Sequence, residues 1–121
     1  PRVESARWSG FRDIASGSFR LVFSAVVRDV DVSLNQQNQQ ISYSATFEKR
    51  LQSGDFVPMV PQPLREAGGN YVLYSYADGS GDINCAEDFT IRATVVPFDE
   101  LQIGAPFISD YTHNRSCQSF E

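Results

Sequence analysis

The chain predicts an all-β domain, and three stretches of alternation carry that reading. Ile41, Tyr43, Ala45, Phe47 and Leu51 fall on every second residue, broken only at Lys49, with Ser42, Ser44, Thr46, Glu48 and Arg50 between them. Phe19, Leu21, Phe23, Ala25 and Val27 alternate in the same way with Arg20, Val22, Ser24, Val26 and Arg28, and Phe89, Ile91, Ala93 and Val95 with Thr90, Arg92, Thr94 and Val96. Successive strand side chains point to opposite faces, so a period of two gives one packed and one wet face. No segment sustains a helical period, and there is no internal repeat or linker.

Taken in order, Val3 to Phe11 reads as a first, irregular strand ending at Ser9-Gly10, with Trp8 as a core plug or the cover of one end. Arg12 to Ser18 is a turn region pivoting on Gly17, and Phe19 to Val27 is the second strand. The apolar phase then moves to even positions at Val30, Val32 and Leu34, which requires a bulge or turn near Arg28-Asp29. Six amide side chains, Asn35 to Gln40, form a hairpin loop before the Ile41–Leu51 strand, which stops at Ser53-Gly54-Asp55. Pro58, Pro61 and Pro63 lack the N–H that a ladder needs, so residues 56–65 are an extended crossing or an edge.

After the Gly68-Gly69-Asn70 turn, Tyr71 to Tyr76 is apolar on both faces, as a central strand would be. Asp78 to Gly81 supplies another turn, Phe89 to Pro97 another strand, and a last strand lies between Leu101 and Tyr111. Seven or eight strands spaced by turns in 121 residues predict one antiparallel β-sandwich spanning residues 1–121, immunoglobulin-like, with a jelly roll or small β-barrel as the alternatives. The antibody spacing of Cys, Trp and Cys is absent, because Trp8 precedes both cysteines.

A formal charge of −5 argues against a sequence-independent nucleic-acid binder, which needs a basic stripe. Residues 1–65 hold eight basic and six acidic side chains, whereas 66–121 hold two basic and nine acidic. No apolar run approaches the roughly 20 residues of a membrane helix, so no membrane insertion is expected. Pro1-Arg2-Val3-Glu4 lacks the basic and apolar regions of a signal peptide. Cys85 and Cys117 are the only cysteines and lack metal-ligand spacing, so one disulfide in an oxidising compartment is expected.

Asp78, Ser80, Asp82 and Asn84 place oxygen side chains at alternate positions and suggest a weak calcium loop. Ile83 stands where a helix-flanked calcium loop needs Gly and Phe89 where it needs Glu, so a plain turn with at most weak calcium affinity is expected, and no other cofactor. Asn114-Arg115-Ser116 matches the N-glycosylation acceptor pattern. Tyr71, Tyr74, Tyr76 and Trp8 are candidates for a sugar-binding platform, set against a role as core aromatics.

His113, the single histidine, has Asp110 and Ser116 at three-residue spacings. Nucleophilic catalysis needs such groups to converge beside an oxyanion hole, which one seven-residue strand or loop segment does not supply. Glu87-Asp88 and Asp99-Glu100 are adjacent in sequence and would diverge in a strand, which makes them poor acid–base pairs. No catalytic set emerges. The sequence therefore points to a non-enzymatic extracellular or cell-surface module that associates with a protein partner or with itself, as a subunit of an adhesin, appendage or shell. Calcium-assisted carbohydrate binding is the first alternative and a small hydrolase the second.

Overall fold

The structure is a computed structural model that describes residues 1–12, 19–28, 43–51, 54–59, 62–63, 71–77, 83–98 and 102–115. Of Arg12, Gln62, Pro63, Tyr71, Val72, Leu73, Tyr76 and Ala77 only the backbone is described. The expected turns at 13–18, 68–70 and 78–81, the shifted segment 30–34 and the amide loop 35–40 lie outside the described residues.

Among the described residues, eight strands build two antiparallel sheets, so the all-β expectation is met. They are β1 (Arg2–Arg12), β2 (Phe19–Arg28), β3 (Tyr43–Leu51), β4 (Val57–Met59), β5 (Gln62–Pro63), β6 (Tyr71–Ala77), β7 (Phe89–Pro97) and β8 (Phe107–His113). One sheet has the order β1-β2-β6-β5 and the other β4-β3-β7-β8. Among the described residues there is no helix, and so none long and apolar enough to cross a membrane.

The alternation maps directly onto burial. Phe19, Leu21, Phe23, Ala25 and Val27 of β2 are all buried, as are Phe89, Ile91, Ala93 and Val95 of β7. Each of these strands is paired on both sides, β2 with β1 and β6, β7 with β3 and β8, so each sheet contributes a full inner row. Aromatic contacts join the rows: Phe23 meets Phe47 edge-on at 5.6 Å between centroids, and Phe47 meets Tyr74 at 5.1 Å. Trp8 closes this group at 4.9 Å from Phe23 and 6.2 Å from Phe47, which makes it a core plug.

The register defines two poles. Arg2 pairs with Arg28, and Tyr43 with Pro97, at one; Arg12 pairs with Phe19, Leu51 with Phe89, and Phe89 with His113, at the other. A register shift between Val3 and Ser5 bulges β1 near the first pole and accounts for its irregular pattern.

Three details differ from the alternation. The alternation puts Leu51 on the packed face, yet it is 48% exposed at the last position of its strand, although its partner across the ladder, Phe89, is buried. The last strand begins at Phe107 rather than Leu101: Phe98 bridges Ile103 and the Gly104 N–H donates to the Pro97 carbonyl at 2.7 Å, so the chain turns back before it pairs. The proline-rich segment resolves into two edges. Pro58 lies in β4, which pairs with β3, and Pro63 in β5, which pairs with β6, so the chain crosses from one sheet to the other between Met59 and Gln62.

Gly104 sits where no side chain fits. A Cβ there would fall inside van der Waals contact of the Pro1 carbonyl oxygen and 2.9 Å from Pro97 Cγ. Gly10 is similarly confined, by Phe19, Leu21 and the Tyr111 hydroxyl, at 3.2, 3.3 and 3.4 Å.

Candidate functional site

Among the described residues, His113, Asp110, Glu87 and Asp88 each have a partner within the fold. His113 is 4% exposed and its Nε2 lies 2.8 Å from the Cys85 carbonyl oxygen. A carbonyl can only accept, so Nε2 carries the proton and donates. The ring is stacked with Phe19 at 5.2 Å and with Phe89 at 4.9 Å. Asp110, three residues earlier, faces the opposite side of β8 and is held by Arg92 at 2.9 and 3.0 Å. Alternation along the strand separates the two groups, and Ser116 lies outside the described residues. Glu87 and Asp88 lie before β7 rather than in a strand and hold different partners: Glu87 approaches Lys49 at 4.0 Å, while Asp88 takes Arg115.

Trp8 and Tyr74, the aromatic candidates whose side chains are described, are half-buried and pack against the core. The Trp8 indole donates to the Ser109 carbonyl at 3.3 Å, which ties β1 to β8 from inside the sandwich. Tyr71 and Tyr76 are placed only by the backbone of β6. Of the calcium candidates, Asp78, Ser80 and Asp82 lie outside the described residues. Asn84 accepts the Ala86 N–H on its side chain at 2.9 Å and the Glu87 N–H on its carbonyl at 3.0 Å, the bonding of a tight turn. Among the described residues no group of three or more His, Cys, Asp or Glu is placed to hold a metal ion. Cys85 is buried, and no described cysteine is free; Cys117 lies outside the described residues.

The surfaces divide by chemistry. The outer face of the β4-β3-β7-β8 sheet carries a paired polar cluster. Phe56 lies beneath the guanidinium groups of Arg50 and Arg92, at 4.7 and 4.6 Å from its ring centre, and Arg92 also grips Asp110. The Thr90 and Thr112 hydroxyls share a hydrogen bond at 3.2 Å one rung away. Hydrogen bonding to Arg92 holds the Asp110 carboxyl below its ordinary value, and the side-chain and backbone bonds from Arg115 do the same for Asp88. Burial alone pushes the Tyr111 phenol up. Apart from Arg50 and Phe56, six residues apart, these partnerships span 18 to 36 residues in sequence, and nothing local announces them.

The outer face of β1 and β2 is basic. Arg2, Arg7, Arg20 and Arg28 project from it, with Glu4 bridged to Arg28. The four sheet edges differ in a way that matters for association. β4 and β5 are three and two residues long and each holds a proline; β1 is bulged and carries arginines. β8 has seven residues with no proline, bulge or lysine. Ile108 of that strand is 57% exposed, and its neighbour Phe107, on the opposite face, is 36% exposed.

Comparison with protein-family models, with curated proteins and with solved structures returned no match.

Proposed function

We propose that this chain is a non-enzymatic structural and interaction module, extracellular or on a cell surface, that associates with a second copy or a sibling subunit through the β8 edge. One observation carries the reading: three edges have the shortness, proline, bulge or arginines that discourage strand pairing, whereas the fourth, β8, has seven residues with no proline or bulge, exposes Phe107 and Ile108, and has its one carboxylate, Asp110, paired to Arg92. An added strand would supply main-chain hydrogen bonds, with Phe107 and Ile108 providing the apolar contact. The arginine face on β1 and β2 gives such a contact an electrostatic partner in the acidic remainder of the chain, head to tail.

An immunoglobulin-like classification is part of this proposal. The orders β1-β2-β6-β5 and β3-β7-β8 correspond to the A-B-E-D and C-F-G sheets of the constant type, with β4 added beside β3. The extracellular setting rests on the sequence, whose single pair of cysteines, Cys85 and Cys117, suits one disulfide in an oxidising compartment.

Light scattering and sedimentation over a concentration series test the association. The native chain forms dimers or longer assemblies, and Ile108→Lys, an exposed substitution, leaves a folded monomer. A native chain that stays monomeric at high concentration overturns the proposal.

A further inference from the structure

We infer that Asn114 carries an N-linked glycan whose first sugar is seated on the protein. Asn114 is exposed, immediately beyond β8, and begins the acceptor tripeptide Asn114-Arg115-Ser116. It also lines a shallow cleft of about 190 Å³, together with Leu51, Arg50, Thr90 and Thr112. That volume is below the roughly 300–1,000 Å³ of sites for drug-sized ligands and suits one sugar ring. The lining suits it too: Leu51 presents an apolar surface that the fold leaves 48% exposed, and the paired Thr90 and Thr112 hydroxyls offer hydrogen bonds.

The segment leaving β8 is held in place next to the cleft. The Arg115 N–H donates to Asp88 Oδ1 at 2.6 Å, and its guanidinium reaches Oδ2 at 2.8 and 3.2 Å. Asn114 therefore stays at the rim, and a ring attached to it needs little further ordering to reach Leu51.

The donor is an oligosaccharide linked to lipid pyrophosphate. The Asn114 Nδ2 forms a bond to the anomeric carbon of its first sugar, the bond from that carbon to the phosphate oxygen breaks, the amide loses one proton, and lipid pyrophosphate leaves. The modification rests on the secreted setting proposed above. It does not depend on association through β8, so a monomeric but glycosylated chain leaves it standing.

The test supplies the secretory route by fusing the chain to a signal peptide in a eukaryotic host. Intact mass shows added oligosaccharide on the native chain, removable by amidase digestion, and none on Asn114→Gln or Ser116→Ala. Trimming to the first sugar leaves the melting temperature unchanged, whereas complete removal lowers it by roughly 2–5 °C. Leu51→Ser abolishes that difference while keeping the glycan. A secreted, folded, unmodified native chain overturns the assignment of Asn114; a glycosylated chain whose melting ignores the first sugar overturns its seating in the cleft.

Discussion

Replacing His113 tests whether this residue is a packing element. In His113→Phe the ring keeps its place between Phe19 and Phe89, but the Cys85 carbonyl loses its Nε2–H donor. Removing one partner of a buried hydrogen bond costs about 1–3 kcal/mol. In His113→Ala the ring goes as well, and truncating a buried aromatic-sized group costs about 3–5 kcal/mol. For a domain of this size that is a fall in melting temperature of roughly 4 °C per kcal/mol, so on the order of 4–12 °C for the first variant and 12–20 °C for the second. Urea titration followed by the fluorescence of Trp8, the single tryptophan, gives the free energies. An alanine variant within about 0.5 kcal/mol of the native chain would refute the reasoning, since changes of that size belong to surface positions.

Gly104→Ala should destabilise by about 1–3 kcal/mol, because the added methyl must displace the Pro1 carbonyl or the Pro97 ring; thermal melting checks it. In Arg92→Gln the Asp110 carboxyl should rise toward the ordinary carboxylate range in an NMR pH titration, because it loses the guanidinium hydrogen bonds that lower it. Its folded value in the native chain is lowered, so the stability it contributes is present above the unfolded value and is lost as the pH falls toward the folded one. The variant's stability curve is accordingly flatter below about pH 4, and an unmoved Asp110 titration contradicts the assignment. A Cys85–Cys117 disulfide closes a loop of about 33 residues, for which chain entropy gives roughly 3.5–4 kcal/mol, less any native strain. Non-reducing peptide mapping of secreted protein should recover the linked pair; two free thiols would dispose of it.

The central strands were legible because each is flanked on both sides. The inner rows of β2 and β7 repeat every second residue without exception, and the burial pattern follows the letters one by one. Edge strands blur this signal. The letters bracket β8 only between Leu101 and Tyr111, whereas it runs from Phe107 to His113 after a backbone contact from Gly104 to Pro97 that no periodicity records. Lys49 read as a break in β3, but its stem keeps the inner register and its ammonium lies 5.5 Å from the Phe89 ring centre. The surfaces were the least legible part. Arg50, Phe56, Arg92 and Asp110 become neighbours only through strand pairing and the return of the chain after Gly54, and the proline segment looked like one edge until its two halves joined different sheets.

The two poles have a mechanical consequence. β1 starts at the pole of Pro97 and Gly104, and β8 finishes at the pole of Phe19 and Phe89. Tension applied between the start of β1 and the end of β8 would run along the strands, so the ladders joining β1 to β2 and β8 to β7 would be sheared along their length, with their hydrogen bonds resisting together instead of parting one at a time. The inward bond from Trp8 to Ser109 connects the two stretched strands directly. A sandwich strung this way would resist extension much more strongly along that axis than under a pull that peels β8 off sideways.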